Sequence, residues 1–202
     1  SEDEDGVGDI QRKIRVWWEG LELASAHSLE RASSGTGKPL QEGLIVCASL
    51  VDKTPNLAGL TRTCEIFGAA SLTLPSLQVV KSDEFRSISV TSEGWVSLEE
   101  VKEADLLLWL RSKRREGFKI VGLEQTAGSF PIFGENSQPF PDRTVLLLGK
   151  EREGIPVQLL REVDICFEIP QLGVVRSLNV HVSGAIAIWE YTRQKRLSVD
   201  RR

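Results

Sequence analysis

The stretch TVLLLGKEREGIPVQLLREVDICFEIP, Thr144 to Pro170, decides the fold. TVLLL is a short apolar run closed by Gly149, of the kind a fully buried strand makes. PVQLLREV then carries helical spacing, and DICFEIP is a second apolar run closed by Pro170. Strand, helix and strand in that order fit a parallel crossover unit. The charged loop between them, GKEREG (Gly149–Gly154), has a glycine at each end, so the backbone can turn sharply and a ligand can approach main-chain groups.

The same alternation extends outward. LIVCASLV (Leu44–Val51), SLTLP (Ser71–Pro75), RSISV (Arg86–Val90) and FKIVGLE (Phe118–Glu124) read as further buried strands. KTPNLAGLTRTCEIFG (Lys53–Gly68), SLEEVKEADLLLWLRSK (Ser97–Lys113) and SLNVHVSGAIAIWEYTRQ (Ser177–Gln194) read as helices, the last with an apolar stripe of Leu178, Val182, Ala185, Ile186 and Trp189. The fold class is α/β, a mostly parallel sheet flanked by helices.

Residues 42–202 form that domain. Residues 1–41 read as a charged disordered tail, a helix spaced through Ile14, Trp17, Trp18, Leu21 and Leu29, and the linker SSGTGKPLQEG. GTGK is no phosphate loop, because Ala32 stands where the first glycine belongs and Pro39 where a hydroxyl belongs.

Composition narrows the function. A chain of 202 residues, 41% hydrophobic, buries one core, and no apolar run reaches the ~18 residues of a membrane helix. Cys47, Cys64 and Cys166 are odd in number and scattered through apolar patterns, which fits reduced thiols, and His27 and His181 are too far apart for a histidine-rich metal centre. The net charge of −4 argues against an all-over basic nucleic-acid binder. Two basic runs remain, RSKRREGFK (Arg111–Lys119) and RQKRLSVDRR (Arg193–Arg202); each reads either as a phosphate contact or as a solvated surface.

In a parallel α/β sheet, ligands gather at the carboxyl ends of strands. Three segments sit there. In the first, Thr54 is placed to cap, Pro55 to start and Gly68 to stop a helix that turns Leu57, Leu60, Cys64 and Phe67 to one side and Arg62 to the other. The second is GKEREGIP, which is not a dinucleotide glycine fingerprint. In the third, IPQLGVVRSLN, the chain turns near Gly173, Ser177 is placed to cap the last helix, and Asn179 in its first turn carries an amide able to hold a hydroxyl. His181 falls on a partly exposed helix face and carries no catalytic role.

Together the segments resemble the three motifs of the SPOUT superfamily, in its TrmH (SpoU) branch of RNA 2′-O-methyltransferases. They are Asn56, Gly59, Arg62, Phe67 and Gly68; Gly149, Glu151, Gly154 and Ile155; and Ile169, Pro170, Gly173, Ser177, Leu178, Asn179 and Val180. The resemblance implies a C-terminal trefoil knot and S-adenosylmethionine bound by Gly149, Gly154, Ile169 and Leu178, with Leu123, Glu124 and Gln171 beside them. It implies transfer to a ribose 2′-hydroxyl of tRNA, the D-loop guanosine at position eighteen, leaving S-adenosylhomocysteine, with no metal. It also implies a homodimer with the RNA across both subunits, inside the cell, in cytoplasm or nucleus.

The family gives the proton of the hydroxyl to the motif-one arginine, here Arg62. A guanidinium is a donor at any ordinary pH, so Arg62 is expected to stabilise developing negative charge whether or not it takes the proton. Ser177 and Asn179 would orient Arg62 or the hydroxyl, while Asn56 and Glu151 shape the pocket. His181 and Ser183 depart from the small residues of many relatives and bear on packing of the last helix. The rival readings are a non-catalytic RNA-binding module on the same fold and a small-molecule or nicotinamide enzyme on a doubly wound sheet, for which the glycine fingerprint and the acidic ribose anchor are missing.

Overall fold

A computed structural model describes residues 43–175 and 177–195. The expected tail, helix and linker of residues 1–41 lie outside the described residues, as does the basic tail beyond Lys195.

The strands are β1 (Leu44–Cys47), β2 (Ser71–Leu74), β3 (Ser97–Glu100), β4 (Lys119–Leu123), β5 (Phe130–Pro131), β6 (Thr144–Leu148) and β7 (Ile165–Glu168). They form one seven-stranded sheet in the order β3-β2-β1-β6-β4-β7-β5, every pairing parallel. The helices are α1 (Thr54–Ile66), α2 (Asp83–Ser89), α3 (Glu103–Arg115), α4 (Val157–Leu160) and α5 (Val180–Lys195).

β6 occupies the centre, with Val145 paired to Ile45 of β1 and to Ile120 of β4. All five of its residues are buried, as the unbroken apolar run requires of a strand covered on both faces. Alternation divides them: Val145 and Leu147 join the cluster with Leu106, Leu110 and Leu159, while Leu146 and Leu148 join the one with Leu57, Leu60, Ala187 and Ile188.

Two segments differ from expectation. RSISV is not a strand but the end of α2, because Ser82 Oγ accepts from Phe85 N–H and Asp83 and Glu84 fill the first turn. The first part of SLEEVKEADLLLWLRSK is β3, an edge strand, and α3 begins only at Glu103. The cap of α1 is also displaced: Lys53 is the N-cap and no side chain caps it, although Gly68 stops the helix in the left-handed region at φ 62° as expected.

The stripe expected on α5 faces the wrong way. The buried set is Val180, Gly184, Ala187, Ile188, Glu190, Tyr191 and Thr192, while Val182 and Trp189 are each 44% exposed. The helix is apolar on both sides, so spacing alone could not say which side meets the sheet.

The basic run at the end of α3 is internally paired. Arg111 Nη2 and Arg114 Nη1 lie 2.8 and 2.7 Å from the two carboxylate oxygens of Glu162, which is buried, and Lys119 reaches Asp164 at 3.3 Å. Those arginines hold the Glu162 carboxyl below its ordinary range, Arg111 chiefly. This clamp stands where β4 begins, at the opposite end of the strands from their carboxyl ends.

Candidate functional site

The carboxyl ends of β1, β6, β4 and β7 bring the predicted residues together. Asn179 is the N-cap of α5: its Oδ1 accepts from the N–H groups of His181 at 2.9 Å and Val182 at 3.3 Å. Ser177, expected in that role, instead lines a cleft two residues earlier. With its oxygen committed to the helix, Asn179 turns its Nδ2 to Asn56 Oδ1 at 3.0 Å. Asn56 passes the sense on, donating Nδ2 to Glu151 Oε1 at 2.9 Å. Asn56 is buried in the first turn of α1, and both ends of its amide are satisfied.

Two clefts flank this chain of bonds. One, about 120 Å³, is lined by Leu123, Glu124, Gln125, Glu168, Ile169, Gln171, Ser177, Leu178 and Ser183. Five of the seven residues expected at a cofactor are in that wall: Leu123, Glu124, Ile169, Gln171 and Leu178. Its walls, among the described residues, combine apolar side chains with the two carboxylates of Glu124 and Glu168. The other cleft, about 550 Å³, lies on the far side of Glu151 and is lined among others by Asp52, Lys53, Lys102, Lys150 and Arg152.

Gly149 and Gly154 do not line the first cleft; they shape the loop beside it. Gly154 sits at φ 70°, and a Cβ on Gly149 would lie 2.6 Å from the Gly154 carbonyl carbon, so only glycines allow the loop to fold on itself. Backbone bonds between Lys150 and Gly154 close it, at 3.0 and 3.1 Å.

Arg62 is exposed and lines neither cleft. α1 is buried on nearly every side, through Asn56, Leu57, Ala58, Gly59, Leu60, Thr61, Thr63 and Cys64. Arg62 shares the remaining exposed strip with Pro55, Glu65 and Ile66.

Gly59 has a local reason. A Cβ there would lie 2.4 Å from His181 Nδ1, so the glycine admits the imidazole onto the helix. Thr63 donates its hydroxyl to Gly59 O at 2.9 Å and therefore accepts from His181 Nε2, 3.1 Å away. The ring is half-buried, and desolvation lowers its pKa. Gly184 does the same for α5, since a Cβ would meet Leu60 at 2.8 Å.

Sequence reasoning did not single out Asp52, Gln125 or Glu168. Glu168 had a signal, standing directly before the Ile169-Pro170 turn at a strand end; Asp52 and Gln125 carried none beyond following a strand.

The chain matches the model of the SpoU rRNA Methylase family over residues 43–189. It is 48% identical over 190 residues to the tRNA (guanosine(18)-2'-O)-methyltransferase TARBP1 of Mus musculus, an alignment covering 94% of this chain and 12% of that protein. The chain thus spans a small part of that relative's length. Among solved structures it resembles the A. aeolicus TrmH/SpoU tRNA modifying enzyme, with TM-score 0.69, 27% identity and 80% of each chain covered. It also resembles the AdoMet-bound rRNA methyltransferase from Sinorhizobium meliloti, with TM-score 0.66, 26% identity, and 79% of this chain and 59% of that one covered.

Proposed function

This chain belongs to the SpoU rRNA methylase family, and from that membership we propose that it transfers a methyl group from S-adenosylmethionine to a ribose 2′-hydroxyl of tRNA, at guanosine 18. One observation carries the reading: Ser177 and Leu178 line the smaller cleft, while the next residue, Asn179, anchors the bonds that lead to Glu151 and the larger cleft. Donor and acceptor sides are thereby adjacent in the chain.

The residues suit a cationic donor. Two carboxylates in the wall suit a sulfonium, and Leu123, Ile169 and Leu178 offer apolar surface to a nucleoside. Bound there, S-adenosylmethionine supplies an electrophilic methyl group to the ribose oxygen. The chain's own task is then to position the hydroxyl and balance its charge as the proton leaves. Asn56, Glu151 and Asn179 provide fixed polar groups for positioning, and Arg62 is the cation for the oxyanion.

Because Arg62 lines neither cleft of its own chain, we assign it to the cleft of a second copy. Ile66 is 61% exposed on the same strip of α1, and Val182 and Trp189 give α5 an apolar outer face, together a surface for a homodimer. The knotted path is part of the same reading, supported by β6 lying between β1 and β4.

Calorimetry with S-adenosylmethionine and single-turnover methylation of tRNA test the proposal. Binding of the donor with methylation at guanosine 18 is expected, and Arg62→Ala should slow the single turnover by about 100-fold at unchanged donor affinity. A parent that binds no donor sinks the enzyme reading, and an Arg62→Ala rate within about threefold of the parent removes Arg62 from catalysis.

A further inference from the structure

Glu124 touches both sides of the site. It follows β4 directly, and its N–H donates to Phe167 O at 2.9 Å, so β7 fixes where it stands. Its side chain lines the smaller cleft. The same carboxylate is already engaged: Oε2 accepts from Ile155 N–H at 2.9 Å and Oε1 from Gln125 N–H at 3.1 Å. Oε2 is seated on the bare α-carbon of Gly154, where a Cβ would lie 2.1 Å from it.

Gly154 and Ile155 are the closing end of the Gly149–Gly154 loop, whose other arm is bonded back through Lys150. Between those arms stands Glu151, which receives the Asn56 amide. A carboxylate in the wall of one cleft therefore holds the backbone that presents a carboxylate to the other. Charged acceptors make stronger bonds to backbone N–H than neutral ones, so Glu124 is well suited to hold the loop.

We propose that Glu124 is a positioning residue that latches the glycine loop and couples occupancy of the smaller cleft to the placement of Glu151. The proposal rests on the methyltransferase reading for its functional half. A cation entering the smaller cleft approaches the carboxylate that accepts from Ile155, so the donor and the loop act on one group. Such coupling is reciprocal for binding: what RNA does to donor affinity, donor does to RNA affinity.

Two measurements decide it. Hydrogen exchange reads the latch itself: Glu124→Ala should speed exchange of the Ile155 amide by about tenfold or more, leaving the amides of β1 and β6 unchanged. Kinetics read the consequence: Glu124→Ala should lower kcat by about 30-fold in the parent but by less than about threefold in a Glu151→Ala background, because both changes then disable one device. Glu124→Gln keeps an acceptor for Ile155 without the charge and should fall between, with its loss mainly in the KM for S-adenosylmethionine.

Unchanged Ile155 exchange in Glu124→Ala overturns the latch. Losses from Glu124 and Glu151 that simply multiply overturn the coupling. A parent without activity on any RNA counts against the methyltransferase reading alone, and the exchange result still decides the latch.

Discussion

An asparagine amide offers a donor and an acceptor in fixed relation, and at two positions both are used. Asn179 gives its oxygen to the amides of α5 and its nitrogen to Asn56, which repeats the pattern toward Glu151. The helix end thus sets the direction of the whole chain of bonds. The sequence made Asn179 suspect through its place after Ser177 and Leu178, but spacing said nothing of Asn56, a partner 123 residues away. Arg62 is the converse. Periodicity gave its outward direction, and what it faces is not written in α1.

His181 supplies a pH dependence at the same scale. Its folded pKa lies below the ordinary histidine value because burial against Gly59 and Thr63 disfavours the charged ring. Between the folded and unfolded pKa values the unfolded chain binds more protons. The contribution is therefore complete above about pH 6.5 and is lost as pH falls through the folded value. Thermal melts at pH 7.5 and pH 5 should show a larger drop for the parent than for His181→Asn; equal drops remove His181 as the cause.

Among elements, α5 and α3 each answer a question that sequence left open. Both faces of α5 are apolar, so the stripe through Val182 and Trp189 was legible but its destination was not. If that face meets a second copy, Val182→Asp should convert a dimer to a monomer in sedimentation equilibrium, since a charge there is buried without a partner. Mixing Arg62→Ala with Asn179→Ala chains should then restore roughly a quarter of parental methylation, from mixed dimers that hold one intact site. A monomeric parent, or no restored activity, sends Arg62 back to its own chain.

The end of α3 was open between a phosphate contact and a solvated surface; its arginines are exposed, and two of them also clamp Glu162. Glu162→Gln removes the charge they share and should cost about 1–2 kcal/mol in urea denaturation at pH 7, between the values for exposed and buried pairs. A change within about 0.3 kcal/mol would reduce the clamp to a surface decoration. The depressed Glu162 carboxyl gives the sign with pH: the contribution is present above its unfolded pKa and lost as pH falls through the folded one.

For the whole molecule, the layers were legible because strands of a covered parallel sheet are short and rich in apolar residues, as β1, β2, β4, β6 and β7 are, with β1 and β6 buried throughout. β3 and β5 were not, for the edges of a sheet need little apolar character: Ser97, Glu100 and Phe130 are exposed. Strand order is a different matter. It depends on which runs meet across the chain, and nothing in TVLLL says that it will lie between LIVC and KIVGL.

That insertion has a consequence for the protein as it is made. Synthesis runs from the N-terminus, so β1 and β4 leave the ribosome before the strand that separates them in the finished sheet. Until Thr144–Leu148 follows, the nascent chain holds two apolar strand edges that belong to a neighbour not yet translated. Those edges can pair wrongly with each other or with another polypeptide, and the interval in which a chaperone is most needed is set by the 20 or so residues between β4 and β6, a matter of about 1–4 seconds of translation.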